Sequence, residues 1–352
     1  MSIFSTDILK NTDAYVPGEQ PQDKSYIKLN TNEFPFEPSD RVKAVVNSEK
    51  AADLRLYSDP TCRVLKNAIA ENYGLETENV FCGNGSDEVL ALSYLAFCKK
   101  EDTVVFPDIS YGFYPVFASF FGLKYKEIPL KDDFSIDIND YFSDCGTVYI
   151  ANPNAPTGLA LNTDKIEEIL KNNPNHVVVI DEAYCDFCDC TAIELIKKYE
   201  NLLVVRTFSK SYALAGARIG FALGNRELIA DLEKAKFSFN PYNINRLSIE
   251  IGAAAINDRE YFKKTVAIIK ENRDKLTKDL RELGFTVIDS GANFVFAKKD
   301  GFDGEELYLK LKENGILVRH FSKERIKDYL RITVGTKEQN AALINTLGRI
   351  IK

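Results

Sequence analysis

The sequence predicts an α/β fold, in which a large domain with a mostly parallel sheet flanked by helices is joined to a smaller α+β domain. The chain has 352 residues, which is more than one compact core usually contains. From about residue 80, short apolar runs alternate with longer stretches of helical period, the pattern of parallel strands joined by crossover helices. Beyond residue 262, a long charged amphipathic stretch precedes further short apolar runs, which indicates a separate, smaller unit.

Three segments are predicted along the chain. An N-terminal arm is expected at residues 1–30, because two prolines and a glycine between positions 17 and 21 favour irregular backbone. We expect this arm to associate with the small domain. The large domain is predicted at 31–262 and the small domain at 263–352.

The elements within these segments follow from the apolar runs. In the large domain the candidate strands are 79–82, 103–106, 147–150, 177–180, 202–206 and 220–223. Helices are predicted between them, including 86–98 and 163–170. In the small domain a helix at 263–283 is predicted to precede strands near 286–288, 294–297 and 330–334.

One run marks the centre of the predicted sheet. Residues 176–181, His-Val-Val-Val-Ile-Asp, are apolar on both faces until the last position, which is typical of a parallel strand covered on both sides. Asp181 then lies at the carboxyl end of the strand. Ligands bind at that edge of open α/β sheets, so we expect the functional site there.

Charge and hydropathy limit the classes of partner. A formal net charge of −7 argues against nucleic acid or an anionic membrane, since those partners need clustered Lys and Arg. No window approaches the roughly 18 consecutive apolar residues of a membrane span, and the N-terminus does not resemble a targeting segment. We expect a cytoplasmic protein without nucleic-acid or membrane partners.

Cysteine and histidine usage excludes some chemistry. Seven scattered cysteines do not indicate a disulfide framework, and most are expected to be reduced and buried. Cys185, Cys188 and Cys190 are closely spaced, but no second group completes a four-ligand site, so no metal is expected. The two histidines, His176 and His320, leave little material for a catalytic triad.

The most informative stretch is 206–220, Arg-Thr-Phe-Ser-Lys-Ser-Tyr-Ala-Leu-Ala-Gly-Ala-Arg-Ile-Gly. A lysine in a turn is usually only solvated. Here Ser209, Lys210 and Arg218 combine two anion donors with one amine, which suits a phosphorylated carbonyl cofactor. An amine must be neutral to attack a carbonyl, so its pKa must fall from about 10.4 towards roughly 7 or 8.

Two further stretches follow candidate strands. Residues 82–90 place a glycine-containing turn before Ser86, which predicts either a phosphate site at a helix start or a plain N-cap at Ser86. Asp181 and Tyr184 put a carboxylate and a phenol at one strand end. A carboxylate there can pair with a protonated pyridine nitrogen. A fourth stretch, 152–158, is a proline-rich turn.

Together these stretches resemble the pyridoxal-phosphate-dependent aminotransferases of the aspartate aminotransferase fold (fold type I), and within them the histidinol-phosphate aminotransferases. The resemblance extends over nearly the whole chain, from Lys-Leu-Asn-Thr-Asn-Glu at 28–33 through Arg-Leu-Tyr-Ser-Asp-Pro at 55–60 to Leu-Arg-Ile-Thr-Val-Gly-Thr at 330–336. The Ser-Lys motif followed by Leu-Ala-Gly and Arg is its most specific part.

The resemblance implies a role for each matching residue around pyridoxal phosphate. Lys210 would carry the cofactor as a Schiff base and, once displaced, move a proton between the substrate α-carbon and the cofactor. Asp181 would pair with the pyridine nitrogen, Tyr184 with the ring hydroxyl, and Tyr111 would stack on the ring.

The cofactor phosphate has its own set of implied contacts. They are Ser86, the backbone amide of Asp87, Ser209 and Arg218. Tyr57 matches a tyrosine that reaches the phosphate of the neighbouring subunit's cofactor, which implies a homodimer with shared active sites.

On the substrate side, Arg331 matches the arginine that holds the anionic end of the substrate, and a guanidinium suits a carboxylate or a phosphate. Arg319 and Tyr15 match further phosphate contacts, and Asn32 lies in the substrate-side loop. Without the resemblance, an exposed or structural role would be favoured for these four. The implied reaction passes an amino group from histidinol phosphate to 2-oxoglutarate, giving imidazole-acetol phosphate and glutamate.

The chain departs from the family at two positions. Ala155 stands where the family has an asparagine that bonds the ring hydroxyl, so Asn152 or Asn154 shifts to replace it, or Tyr184 alone holds that oxygen. Phe34 stands where asparagine is common, which changes the substrate-side pocket.

Three alternative functions stay open on sequence alone. An aromatic amino acid aminotransferase and a threonine-phosphate decarboxylase would use the same scaffold, the latter also needing an arginine for a phosphate. A non-catalytic, cofactor-binding regulatory domain is the third alternative, although nothing in the sequence resembles an attached DNA-binding module.

Overall fold

The computed structural model describes residues 5–47, 49–142 and 145–352. The strands are β1 Ile27–Lys28, β2 Val80–Gly83, β3 Thr103–Pro107, β4 Lys124–Ile128, β5 Val148–Ala151, β6 Val178–Asp181, β7 Leu202–Thr207, β8 Gly220–Gly224, β9 Thr286–Ile288, β10 Phe294–Lys298, β11 Ile316–Leu317, β12 Arg319–His320 and β13 Tyr329–Thr333. The α-helices are α1 Asp7–Lys10, α2 Asp40–Val46, α3 Arg63–Tyr73, α4 Ser86–Phe97, α5 Phe113–Phe120, α6 Thr163–Lys171, α7 Arg226–Phe239, α8 Arg246–Asn257, α9 Arg259–Glu282, α10 Gly304–Glu313 and α11 Lys337–Ile350. Short 3-10 helices lie at Glu49–Arg55, Thr77–Asn79, Ile138–Tyr141, Cys185–Phe187, Ile193–Lys197, Ala215–Ala217 and Glu324–Ile326.

A seven-stranded sheet forms the larger part of the structure, in the order β2-β8-β7-β6-β5-β3-β4. Strands β3 to β7 pair in parallel, and β8 runs antiparallel to both of its neighbours. The mostly parallel sheet is therefore confirmed, with each of the six predicted strands within one residue of its observed ends. The sequence missed β4, because Lys-Tyr-Lys-Glu-Ile is largely exposed at the sheet edge and has no apolar run.

Both faces of this sheet are covered. Along β6, Val178 and Ile180 belong to one apolar cluster with side chains of α3, α6 and α8. Val179 points to the opposite face and packs with side chains of α4, α5 and α7. The alternation follows from the two-residue period of a strand, and it confirms the expectation of a central strand that is buried on both sides.

A second layer of strands follows in the C-terminal part of the chain. Strands β12, β13, β10 and β9 form an antiparallel sheet in that order, and β1 pairs in parallel with β11. The helix predicted at 263–283 begins earlier, at Arg259, because the Asp258 side chain caps it by accepting a hydrogen bond from the Tyr261 amide. The domain limits at residues 30 and 262 stay predictions.

The cysteines differ from expectation at one place. Cys188 and Cys190 are joined by a disulfide, with their Cα atoms 5.5 Å apart, a separation that a disulfide spans. Neither the spacing nor the composition had predicted this pair. The other five cysteines are outside this disulfide, and Cys62, Cys82 and Cys185 are buried. Within the described ranges, no helix is both long and apolar enough to cross a membrane.

Candidate active site

A cavity of about 790 Å³ lies at the carboxyl edge of the seven-stranded sheet, where the C-terminal strands face it. Twelve of the thirteen residues predicted for the site line this cavity. They are Tyr15, Asn32, Ser86, Asp87, Tyr111, Asp181, Tyr184, Ser209, Lys210, Arg218, Arg319 and Arg331. The structure thus brings together residues that are up to 316 positions apart in the sequence (331 minus 15).

Lys210 lies in the loop that joins β7 to the antiparallel strand β8. Its Nζ donates a hydrogen bond of 3.2 Å to the carbonyl oxygen of Thr31 and lies 5.6 Å from the centre of the Tyr184 ring. None of the ion pairs between described residues involves Lys210. No ion pair with a described carboxylate therefore has to break before Nζ can attack a carbonyl.

Asp181 ends β6 at the floor of the cavity and is 4% exposed. Its carboxylate accepts hydrogen bonds from the Tyr114 hydroxyl, at 3.1 Å, and from the Ala183 amide, at 3.2 Å. Burial raises the pKa of Asp181 to about 7, although these hydrogen bonds oppose the rise. The sequence did not indicate Tyr114, because an aromatic side chain inside a helix looks like any core residue.

An anion cradle surrounds the start of α4. Gly85 has a φ of +82°, and a Cβ there would lie 2.4 Å from Nη2 of Arg218. A Cβ on Gly220 would lie 2.3 Å from the Ser86 amide nitrogen, so both positions require glycine. Gly85 is the N-cap residue and gives no side-chain cap, so the plain N-cap interpretation of Ser86 is wrong.

The Asp87 carboxylate orients the Arg218 guanidinium in this anion cradle. Nη2 of Arg218 lies 3.4 Å from Oδ2 of Asp87, and the Tyr111 hydroxyl donates to Oδ1 of Asp87 at 2.7 Å. The free amides of the first helical turn and the Ser86 hydroxyl complete a group of donors that suits a phosphate.

Arg331, in β13, is a partly buried cation on the opposite wall. Its Nη2 donates to the Asn30 carbonyl at 3.1 Å, while its buried Nε has no hydrogen-bond partner among the described residues. The rings of Phe294 and Phe321 flank the guanidinium, with centres 5.4 and 5.6 Å from Cζ. Burial lowers the pKa of Arg331. A guanidinium with a buried, unpartnered Nε and no carboxylate among the described residues is suited to bind an anion.

Arg319 holds the N-terminal arm against the cavity. Its guanidinium donates to the carbonyls of Pro17 and Val16, at 3.0 and 3.1 Å. The arm thereby brings Tyr15 to the cavity, where its ring stacks on Phe113 with centroids 4.0 Å apart. Burial raises the pKa of Tyr15, so its hydroxyl keeps its proton and can donate.

The turn at 152–158 does not supply the missing amide. Ala155 lines the cavity, whereas Asn154 donates to the Ile109 carbonyl at 2.9 Å. Asn152 donates to the Leu161 carbonyl at 3.2 Å, and neither asparagine is among the residues that line the cavity. Of the two alternatives, this arrangement favours Tyr184 as the only donor to the ring hydroxyl.

Two predicted features lie outside the cavity. Phe34 packs edge-on against Phe36, with ring centroids 5.7 Å apart, and joins an apolar cluster of the C-terminal part. Tyr57 is 79% exposed and stacks on Tyr242 with ring centroids 4.6 Å apart. Its predicted role in a neighbouring subunit stays a prediction.

A buried ionic network behind the cavity was not predicted. Nε of Arg206 donates to Glu182 and Nη1 donates to Asp186, both at 3.0 Å. The Ser211 hydroxyl donates to Asp186. Since Glu182 follows Asp181 and Ser211 follows Lys210, the network ties the two functional segments together. The sequence signal was Arg206 itself, because a cation at the end of a buried strand needs partners.

Comparison with known proteins adds a family context. The family described as aminotransferase class I and II matches residues 24–347. A histidinol-phosphate aminotransferase of Brachyspira hyodysenteriae is 52% identical over 353 residues, covering 100% of both chains. One of Clostridium botulinum is 49% identical over 351 residues, covering 100% of this chain and 99% of the relative. The crystal structure of histidinol-phosphate aminotransferase from Sinorhizobium meliloti in complex with pyridoxal-5'-phosphate superposes with a TM-score of 0.89, at 23% identity, covering 100% of this chain and 98% of that chain. This last likeness shows the shared fold.

Proposed function

We propose, from the premise that this chain belongs to the class I and II aminotransferase family, that it transfers the amino group of histidinol phosphate to 2-oxoglutarate. The products are imidazole-acetol phosphate and glutamate, a step of histidine biosynthesis. The observation that carries the proposal is the buried, unpartnered Nε of Arg331, whose guanidinium faces the same cavity as Lys210 and pairs with no carboxylate of the described residues.

The cavity fits pyridoxal phosphate on three observations. The buried Asp181 carboxylate has no cation partner among the described ion pairs, and a protonated pyridine nitrogen would supply one. Gly220 approaches the backbone of Gly85 and Ser86 closely at the start of α4, and a helix start is a site that binds phosphate. Lys210 supplies an amine without a salt bridge. When bound, the cofactor withdraws electrons from the bond of the substrate that is broken in the reaction.

Each side chain around the cofactor would have its own role. Lys210 would hold the cofactor through Nζ and afterwards move a proton at the substrate α-carbon with the same atom. Asp181 would keep the pyridine nitrogen protonated, since a carboxylate at hydrogen-bond distance favours the charged form of its partner. Ser86, Ser209 and Arg218 would fix the phosphate.

The two arginines of the opposite wall explain how one cavity can accept both substrates. Arg331 offers a guanidinium to a carboxylate or to a phosphate. Arg319 and the Tyr15 hydroxyl lie at the same wall and would add donors for the phosphate. An aromatic amino acid has a carboxylate but no phosphate, so it would leave part of these donors without a partner.

We also propose that the enzyme is a cytoplasmic homodimer. Large apolar side chains are exposed in two neighbouring segments, 54–64 and 237–242. They are Leu54, Leu56, Tyr57, Val64, Phe237, Phe239 and Tyr242. The stacked rings of Tyr57 and Tyr242 and a hydrogen bond of 2.8 Å from Lys236 to the Pro60 carbonyl join the segments. A second copy of the chain is the occupant proposed for this apolar surface.

A substrate panel tests the proposed reaction. Purified enzyme loaded with pyridoxal phosphate receives histidinol phosphate, phenylalanine or threonine phosphate together with 2-oxoglutarate, and glutamate and carbon dioxide are measured separately. We expect glutamate from histidinol phosphate at the highest kcat/KM and no carbon dioxide. Carbon dioxide without glutamate would overturn the transamination, and equal kcat/KM values for phenylalanine and histidinol phosphate would overturn the specificity.

A further inference from the structure

We infer that Asn32 is a positioning residue for Tyr184, whose phenol it polarises in place of the amide that is missing at position 155. The inference deepens the proposed function and rests on it, because it takes the Tyr184 hydroxyl as the donor to the ring hydroxyl oxygen of the cofactor. It concerns three residues, Thr333, Asn32 and Tyr184, which we call the Thr333–Asn32–Tyr184 relay.

The relay consists of three hydrogen bonds in a buried place. Nδ2 of Asn32 donates to the Tyr184 hydroxyl oxygen at 3.0 Å. The Thr333 hydroxyl donates to Oδ1 of Asn32 at 3.1 Å, and the Asn32 backbone amide donates to the Thr333 oxygen at 3.0 Å. Asn32 is 1% exposed, Thr333 2% and Tyr184 9%, so water does not compete for these contacts.

The direction of the relay follows from the bonding capacity of each group. The Thr333 oxygen already accepts the Asn32 amide proton, so its own proton is directed to Oδ1 of Asn32. An amide that accepts at Oδ1 presents its N–H groups on the other side, which is the side of Tyr184. The described hydrogen bonds give the Tyr184 hydroxyl no acceptor, so its proton is available to a ligand in the cavity.

The backbone holds Asn32 in this orientation. Its φ is +55°, a left-handed conformation that asparagine tolerates better than most residues. Nδ2 of Asn293 donates to the Asn32 carbonyl at 3.1 Å. The preceding carbonyl, that of Thr31, accepts the hydrogen bond from Lys210. The same short segment therefore contacts both the amine and the phenol.

Position 155 explains why such a relay is needed. Ala155 has no donor, and the asparagines at 152 and 154 are bonded to backbone carbonyls. The phenol of Tyr184 must then stabilise the negative ring oxygen by itself. A hydroxyl that accepts a hydrogen bond becomes a better donor, by about 10–30% for each bond in a chain, so Asn32 strengthens this single contact.

The test measures the pH midpoint of the visible absorbance of the bound cofactor in the loaded enzyme, without substrate. A weaker donor stabilises the negative ring oxygen less, so the cofactor retains its proton to higher pH. We expect Asn32→Ala to raise the midpoint by roughly half a unit to one unit, the size of one hydrogen bond. An unchanged or lowered midpoint would overturn the inference.

A double-mutant cycle separates positioning from a general structural effect. In a Tyr184→Phe background, Asn32→Ala should not shift the pH midpoint further, because the hydroxyl to which Asn32 donates is absent. With Ala155→Asn as the background, the shift caused by Asn32→Ala should shrink, since the restored amide supplies a second donor. Equal shifts in all three backgrounds would contradict the relay.

A pair of variants at Thr333 serves if Asn32→Ala does not fold. Thr333→Ser keeps the hydroxyl and should keep the wild-type midpoint, whereas Thr333→Val keeps the shape and should raise it. Identical midpoints for the two variants would count against the relay. This test is separate from the test of the proposed reaction. An enzyme that released carbon dioxide could still show the raised pH midpoint, which would support the relay. An active transaminase without the raised midpoint would refute only the relay.

Discussion

Tyr114 donates a hydrogen bond of 3.1 Å to the carboxylate of Asp181, and both side chains are buried beneath the cavity. The contact orients the buried Asp181 carboxylate, which is the group proposed to pair with the pyridine nitrogen of the cofactor. Burial raises the pKa of Asp181 to about 7 and the hydrogen bond opposes the rise, so the carboxylate ionises near neutral pH.

The first prediction concerns the stability of the cofactor-free protein. Because the folded pKa of Asp181 is above the ordinary value of 3.8, the folded state binds this proton more tightly than the unfolded state does. The contribution of protonated Asp181 to the free energy of unfolding is fully present below about pH 4 and is lost as the pH rises through about 7. Relative to Asp181→Asn, which has the same shape and no charge, the loss should reach roughly 4 kcal/mol.

Urea unfolding of both proteins between pH 4 and 8 measures this difference. The Asn variant carries every other titrating group, so it corrects for them. A constant difference in the free energy of unfolding over that range would contradict the raised pKa.

The second prediction concerns Arg331. Arg331→Ala should lower kcat/KM for histidinol phosphate and for glutamate by roughly 30-fold to several thousand-fold, because truncating one partner of a desolvated charged contact costs about 2–5 kcal/mol. Arg331→Lys should recover only part of the loss, since an ammonium cannot form the bidentate contact. Titration with pyridoxal phosphate should show unchanged cofactor affinity.

Arg349→Ala is the matched control, because Arg349 lies at the end of α11 and bonds only to the Thr346 hydroxyl, at 3.1 Å, among the described hydrogen bonds. Its kcat/KM should equal that of the wild type. If Arg331→Ala behaved like this control with both substrates, the anion-binding role would be refuted.

The third prediction concerns the network behind the cavity. Ser211→Ala removes the hydroxyl that bonds Asp186 and leaves this partly buried acceptor with one donor fewer, which costs about 1–3 kcal/mol. Because Ser211 is next to Lys210, we expect kcat to fall while KM stays near its wild-type value. Stopped-flow and steady-state kinetics, with thermal unfolding in parallel, measure the two effects.

Ser238→Ala controls for the loss of a hydroxyl, since Ser238 is exposed and bonds the Lys234 carbonyl within its own helix. It should change neither kcat nor stability appreciably. A Ser211→Ala enzyme that lost stability but kept its kcat would show that the network is structural only.

The fourth prediction concerns the proposed dimer. Lys210→Ala and Tyr57→Ala chains should each be nearly inactive, and mixed dimers should regain activity, because one of the two sites would then hold an intact Lys210 and an intact Tyr57. Dimers purified through two different affinity tags allow the measurement. Verified mixed dimers without activity would contradict a site shared between subunits.

Much of the fold followed from local pattern. The apolar runs located six strands of the large sheet, and a strand end located Asp181, because a covered parallel strand has a composition of its own. The exposed strand Lys124–Ile128 lacks that composition and was missed. The disulfide between Cys188 and Cys190 depends on the path of a turn, which spacing alone does not determine.

The site was predictable to the extent that motifs mark it. Ser209, Lys210 and Arg218 belong to one short stretch, whereas the contact between Asn32 and Thr333 joins residues 301 positions apart. Tyr114 has the sequence context of a core aromatic. Contacts of this kind arise only when the layers pack, so no local pattern indicates them.

Borohydride reduction shows which amine of the enzyme carries the cofactor, and we expect it to be Lys210. The enzyme is incubated with pyridoxal phosphate, reduced so that the cofactor stays covalently attached to the amine that holds it, digested, and mapped by mass spectrometry. We expect a single labelled peptide with the label on Lys210, and no such peptide from Lys210→Ala. A label on another lysine of the wild-type enzyme, or no label at all, would contradict it.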